Sequence, residues 1–204
     1  MHMPLFLEVK NQTVIAVGGG AVAARKVRHF LDAGAAITII APKLHPFLQQ
    51  LYQKGKIKWQ EREVHEGEHF NCLFLLLMTD KKELNMSLYE NKQPHQLAYV
   101  ANDAMKSDVS FPAVLQRGAL SLALSTGGAS PVYAKQLKNK LADQLPAEIE
   151  ADLIFLDQAR KRILTLPLTP EQKKQILQKI TEEEFLRQGN RQQLLEEMLE
   201  AVQK

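Results

Sequence analysis

Cysteine is nearly absent from this chain of 204 residues: Cys72 stands alone, which excludes an intramolecular disulfide and a cysteine-based zinc site. A reducing cytoplasm is the expected compartment. Histidine is missing beyond His95, so the C-terminal half offers no imidazole ligands, and no metal site is expected. Apolar runs fall far short of a bilayer span, and the opening Met1-His2-Met3-Pro4-Leu5 lacks the basic start and small-residue cleavage site of a leader. Neither a membrane anchor nor a signal peptide is therefore expected. Charge of one sign is scarce too. The 26 Lys and Arg against 23 Asp and Glu leave a net +3, and no aromatic-studded basic stripe makes nucleic acid a partner. What remains is the balance of a folded protein, 45% hydrophobic and 24% charged.

Hydrophobic periodicity organises the first half as alternating strands and helices. Thr13 to Val17 is a β-rich run, Ala21 to Ala33 has helical spacing with Val22, Val27, Phe30 and Leu31 on one face, and Ile37 to Ile40 is a second apolar strand. Arg25, Lys26 and Arg28 are expected to face outward. Gly34 sits where a left-handed helix cap is needed. The pattern continues with a helix at His45 to Lys54 and strands at Ile57 to Gln60 and Leu73 to Met78, then a helix at Lys82 to Asn91 and a strand at Leu97 to Ala101. Such alternation implies an open parallel sheet with helices on both faces. The rhythm then changes. Val109 to Leu115 and Leu120 to Ser125 read as strands joined through Gln116-Arg117-Gly118-Ala119, and beyond Pro131 everything is helical. Thr169-Pro170 with Gln172 forms a capping box, Thr181 with Glu184 repeats that signal, and Asn190 precedes a last helix.

The glycine run Gly18-Gly19-Gly20, followed by Ala21-Val22-Ala23, lies between the first strand and the first helix. In that context it is a dinucleotide-binding turn of the Rossmann type. Gly18 permits the tight bend, Gly20 removes the β-carbon that would block a pyrophosphate, and Ala23 keeps helix and sheet close. The helix N-terminus offers N–H groups and a positive dipole end to the phosphates. One expected residue is missing: the second strand ends in Ala41-Pro42-Lys43 rather than in the acid that holds the adenosine ribose. Either Lys43 favours a 2′-phosphate, hence NADP, or backbone groups of Pro42 and Lys43 hold the ribose. The residues alone leave both open.

The string His65-Glu66-Gly67-Glu68-His69 matches a zinc-protease motif in letters, but Gly67 weakens the helix that the chemistry requires, so a polar loop is expected. Ser130 is no hydrolase nucleophile either, because the Gly-x-Ser-x-Gly elbow is absent.

Val17-Gly18-Gly19-Gly20, Val22-Ala23, Arg25-Lys26, Gly34-Ala35 and Ala41-Pro42 resemble the opening of precorrin-2 dehydrogenases, including the N-terminal half of bifunctional siroheme synthases. Thr79-Asp80 with Asn85 is similar to their Thr-Asp motif, and Asn102-Asp103 to their Val-Asp pair, with Asn102 a departure. Phe111-Pro112, Arg117, Leu120 and Ser125-Thr126-Gly127-Gly128-Ala129-Ser130-Pro131 resemble the start of their dimerisation region. The likeness runs from about Leu5 to Pro146, and the last segment is its most specific part.

The resemblance implies an α/β fold: a Rossmann-type NAD-binding domain (1–108), a small α+β dimerisation and substrate region (109–145) and a C-terminal helical module (146–204). It implies NAD as cofactor, with Ala21, Val22, Pro42 and Lys43 at contacting positions beside Thr79 and Asp80, a homodimer, and oxidation of precorrin-2 to sirohydrochlorin. Asp103, after the Leu97 to Ala101 strand, is the candidate base; the bland alternative is a turn aspartate. The substrate is a polycarboxylate. Gly127 and Gly128, Ser130 as helix cap, Lys135 on the following helix and Arg117 are the candidates for holding it. Competing readings are a bifunctional dehydrogenase and ferrochelatase, a chelatase without redox activity, and a non-catalytic NAD-sensing Rossmann module. The glycine turn argues against the pure chelatase.

Overall fold

The computed structural model describes residues 3–101, 103 and 106–203. The chain divides into two compact units, Met1–Phe111 and Pro112–Lys204. In the first, the order is β1 (Thr13–Val17), α1 (Ala21–Asp32), β2 (Ala36–Ile40), α2 (Pro46–Gln53), β3 (Lys58–Gln60), β4 (Phe74–Leu77), α3 (Lys82–Glu90) and β5 (Leu97–Val100). All five strands pair in parallel in the order β3-β2-β1-β4-β5. The alternation read from the sequence thus becomes a doubly wound sheet, because each parallel pair needs a crossover and each helix covers a face.

Side-chain alternation splits the core in two. Val14, Ala16, Ile37, Ile39, Phe74 and Leu76 pack with Val27 and Phe30 of α1 and Leu48 of α2. Val17, Ile40, Leu75, Leu77, Ala98 and Val100 pack with Leu84 and Leu88 of α3. Every residue of β4 is buried, as a central parallel strand covered on both faces requires. Each such Leu or Phe contributes roughly 1.5–3 kcal/mol of burial free energy. Gly34 adopts φ +79°, the left-handed end to α1 that its position implies.

The outer edge of β5 is closed by side chains from the chain that follows it. Ser107 Oγ accepts the Val100 N–H at 2.9 Å, and Asp108 Oδ2 accepts the Ala98 N–H at 2.9 Å. Asp108 is held in turn by Lys92 Nζ at 3.1 Å and by the Tyr89 hydroxyl at 3.2 Å. These bonds remove the unpaired donors that make an edge strand a template for aggregation.

Three expectations change. Lys26 does not simply face solvent: its amine lies 3.9 Å from the centre of the Phe111 ring and 4.8 Å from that of Tyr99. Burial, and then the charge of Arg25, pull its pKa down to about 8. Second, Val109 and Phe111 pack against the first core instead of starting a strand. The β-hairpin begins after Pro112, with β6 (Ala113–Arg117) and β7 (Leu120–Leu124) antiparallel and Arg117 paired with Leu120. Only Gly118 and Ala119 form the turn, with Gly118 at φ +54° in the first central position, as a type II′ turn needs. Third, Thr181 caps no helix. Its hydroxyl donates back to Gln178 O at 2.6 Å, and the four-residue α7 (Glu183–Leu186) starts after Glu182.

The second unit continues with α4 (Pro131–Gln144), α5 (Ile149–Thr165), α6 (Pro170–Lys179), α7 and α8 (Arg191–Gln203). Thr169 and Gln172 make the reciprocal capping box in front of α6, with Pro170 at its first position. Phe155, Ala159, Ile163, Ile176, Ile180, Phe185, Leu195 and Leu199 form a core of their own among α5 to α8. Among the described residues, no helix is long and apolar enough to cross a membrane.

Candidate functional site

In a parallel sheet the loops after the strands gather at one edge. The turn after β1 (Gly18–Gly20), the β2 exit (Ala41–Lys43), Thr79 and Asp80 after β4, and Asp103 after β5 therefore share the carboxyl edge. Helices α1 and α2 cover one face and α3 the other, so the strand order reverses between β1 and β4, the place where open α/β sheets bind ligands.

The three glycines have three different jobs. Gly18 has φ +107°, and a β-carbon there would stand 2.5 Å from the Met78 carbonyl oxygen, so only glycine lets β1 turn beside the β4 exit. Gly19, which the glycine pattern leaves without a role, is as confined: a β-carbon would stand 2.3 Å from the Lys43 carbonyl oxygen. Its own carbonyl accepts the His45 N–H at 2.7 Å, which ties the β2 exit to the glycine turn. Gly20 is different. It has φ −83°, and a β-carbon there would meet nothing within 4 Å. Gly20 itself is exposed and stands directly before Ala21 and Val22, where α1 begins without a side-chain cap or an acid in its first turn. The first N–H groups of a helix have no partners within it, so an uncapped start with an empty approach is a cradle of the right chemistry for a pyrophosphate. Ala23 is fully buried against the sheet, which is the close approach expected of it.

At the β2 exit, Gly18 N donates to Ile40 O at 3.0 Å, and Pro42 and Lys43 are exposed. After β4, Thr79 is held to the fully buried Asn85: Thr79 Oγ1 donates to Asn85 Oδ1 at 2.7 Å, and Asn85 Nδ2 donates to Thr79 O at 3.0 Å. Asn85 shapes this loop, and Asp80 beside it is exposed. Asp103 is half-buried. Its N–H donates to Val100 O at 3.4 Å, while its carbonyl accepts the Lys106 N–H and lies 3.3 Å from Ser107 Oγ. It thus occupies a turn at the β5 exit, and its neighbour Asn102 lies outside the described residues.

The 65–69 segment is a loop, as expected, and Glu68 forms a two-pronged pair with Arg62, with contacts of 3.1 and 2.5 Å. Among the described residues, no group of three or more His, Cys, Asp or Glu could hold a metal ion.

In the second unit, Gly127 at φ +63° and Gly128 at φ +90° form an open bend before α4. Ser130 Oγ accepts the Tyr133 N–H at 3.2 Å and Pro131 occupies the first helical position, so Ser130 is the helix cap that its spacing implies. Arg117 donates from Nη2 to Ala142 O at 2.9 Å, which joins the hairpin to the end of α4. Lys135 is exposed on α4.

An NAD(P)-binding family model matches residues 5–113, and a model described as the sirohaem biosynthesis protein central segment matches residues 117–144. The chain is 30% identical over 181 residues to a precorrin-2 dehydrogenase of Priestia megaterium, covering 89% of this chain and 90% of that one. The chain belongs to the precorrin-2 dehydrogenase and siroheme synthase family. Another member, siroheme synthase 3 of Aeromonas hydrophila, is 36% identical over 163 residues. That match covers 79% of this chain but 35% of the synthase, so the chain spans about a third of the length of the siroheme synthases it matches. The solved structure of SirC, a precorrin-2 dehydrogenase, matches with a TM-score of 0.82 at 28% identity, over 99% of each chain. The α/β architecture with its small antiparallel sheet and C-terminal helices is the fold of this family.

Sequence reasoning missed Gly19 in the glycine turn, and Ser107 and Asp108 along the outer edge of β5. Gly19 was signalled by the third glycine in the run, whereas the other two act through contacts that only the folded β5 creates.

Proposed function

We propose that the protein oxidises precorrin-2 to sirohydrochlorin, with NAD as acceptor, Asp103 as the base and the 112–144 region as the part that grips substrate and pairs with a second copy. The observation that carries the reading is the open cradle at Gly20, on the same sheet edge as Asp103, in a chain of this family. Two strand spacings separate the exits of β1 and β5, about 10 Å, within the reach of a bound dinucleotide.

Bound NAD supplies the hydride acceptor. The protein's own residues orient and deprotonate. Gly18 makes the tight bend, Gly20 leaves room for the pyrophosphate, and the N–H groups of Ala21, Val22 and Ala23 face it. Pro42 and Lys43 take the ribose end, and Thr79 and Asp80 flank the middle of the site. Asp103 accepts the proton that leaves the macrocycle as the hydride departs, so the substrate loses two hydrogens and two electrons in all. Carboxylates of the macrocycle are held by the bend at Gly127 and Gly128, the helix start at Ser130, and the charges of Arg117 and Lys135. Anaerobic incubation of the protein with precorrin-2 and NAD should give the sirohydrochlorin spectrum with one NADH per macrocycle. No spectral change in the presence of NAD contradicts the proposal.

Lys43 decides nucleotide preference if it reaches a 2′-phosphate. Turnover is then retained with NADP in the wild type, and Lys43→Ala loses the NADP rate while keeping the NAD rate. Equal losses with both nucleotides would remove Lys43 from that role.

A homodimer is supported by the hairpin and α4, which bury little by themselves: Ala134 is the single buried hydrophobic residue among residues 112–144, while Val132 is 68% and Tyr133 58% exposed. A lone two-stranded ribbon is marginal in water, so this region gains from a partner. Asp at both 132 and 133 would fall in the first turn of α4, where acids favour the helix. Val132→Asp with Tyr133→Asp is therefore expected to give folded monomers by sedimentation, and a persistent dimer would contradict the assignment. The cytoplasm is the proposed compartment. In support, the lone Cys72 is a buried thiol whose pKa burial raises to about 11, suited to remaining reduced.

A further inference from the structure

A missing acid at the end of β2 leaves the adenosine end of the cofactor site without its usual anchor, and the structure holds that loop from the other side. Trp59, the only tryptophan of the chain, lies on the edge strand β3 opposite Ile39 of β2. Its indole Nε1–H donates to the Ala41 carbonyl at 2.9 Å, and Tyr52 of α2 packs edge-on against the indole at 5.5 Å and 81°. Ala41 N donates in turn to Gln60 O at 3.2 Å, so β3 grips both backbone groups of Ala41. Ala41 is buried, and a β-carbon on Gly19 would stand 3.0 Å from its side chain. Through these contacts the indole, the β2 exit and the glycine turn form one continuous packed path.

The carboxylates near this edge are mostly spoken for. Glu68 pairs with Arg62, and Glu63 lies 3.5 Å from Lys81. Glu61, exposed just after β3, is the rival candidate for the ribose hydroxyls.

We infer that Trp59 is a positioning residue for the adenosine half of the cofactor: its N–H, by holding the Ala41 carbonyl, sets the Pro42-Lys43 backbone at the ribose in place of the absent acid. This rests on the cofactor site of the dehydrogenase reading. A residue that acts on the loop and not on the reacting atoms should alter nucleotide affinity and leave the chemical step alone.

The test is calorimetric titration with ADP and with NAD on the full-length wild type, Trp59→Phe and Glu61→Gln. A fourth protein carries at 59 the tryptophan analogue with sulfur in place of the indole N–H. That analogue keeps the ring and its packing, so it stays informative where Trp59→Phe loosens the fold. Loss of one hydrogen bond is expected to weaken ADP and NAD by about fivefold in both position-59 variants. The KM for NAD should rise by the same factor, with kcat and the KM for precorrin-2 unchanged. Wild-type affinity for ADP in the sulfur analogue would overturn the role of Trp59 while leaving the dehydrogenase reading intact, as would weakening by Glu61→Gln alone. A wild-type protein that bound neither ADP nor NAD would overturn both.

Discussion

Gly20→Ala is expected to fold and to lose its nucleotide. The φ of −83° suits any residue, and the added methyl meets nothing within 4 Å of the protein. The cost to stability is the replacement of a glycine cap by alanine, of order 0.5–1 kcal/mol, which lowers the thermal midpoint by only about 1–4 °C in a chain of this size. The same methyl occupies the approach to the first amides of α1, where the pyrophosphate must sit. Displacing even one charge-assisted hydrogen bond there removes about 1.5–3 kcal/mol, so the Kd for NAD should rise by roughly tenfold or more. Gly18→Ala is the contrasting variant. At φ +107° and 2.5 Å from the Met78 carbonyl, its methyl strains the backbone and displaces β4, so that variant should lose stability before binding can be measured. Scanning calorimetry and NAD titration on the two proteins separate the effects. NAD bound normally by Gly20→Ala would mean that the cradle lies elsewhere.

Asp103→Asn is expected to bind NAD as the wild type does and to lose about 10²- to 10⁴-fold in kcat, the usual contribution of a positioned general base. Asparagine keeps the size of the side chain and both backbone bonds of the turn, from the Asp103 N–H to Val100 O and from the Lys106 N–H to the Asp103 carbonyl. Substrate affinity should change little, because the carboxylate acts on the departing proton and not on the macrocycle's acidic arms. Single-turnover measurement of NADH formation separates chemistry from product release, and an unchanged single-turnover rate would remove Asp103 from the reaction.

The sheet was legible because its signals are local. Val14, Ala16, Ile37 and Ile39 alternate inward, β4 is apolar throughout, and Gly34 marks a helix end that φ +79° fulfils. The glycine turn was legible in outline, but the division of labour within it was not. Whether Gly19 or Gly20 faces empty space depends on where the β2 exit folds back, and that is set by Lys43, His45 and Ala41 from another part of the chain. The second strand of the hairpin was read in place, but the first was begun four residues early because Val109 and Phe111 look like strand residues in isolation. Both pack on the first core instead, and the Phe111 ring meets those of Tyr99, Phe30 and His29. Lys26 shows the same effect on charge. Helical spacing put it on an outward face, and only tertiary structure brings two aromatic rings beneath its amine.

A crystal structure of the protein with NAD bound tests the central claim most directly. The account predicts the pyrophosphate against the N–H groups of Ala21 and Val22, the adenosine ribose at Pro42 and Lys43, and the nicotinamide ring reaching past Thr79 toward the Asp103 carboxylate. Nucleotide found anywhere else, or an Asp103 carboxylate turned away from the nicotinamide, would contradict it.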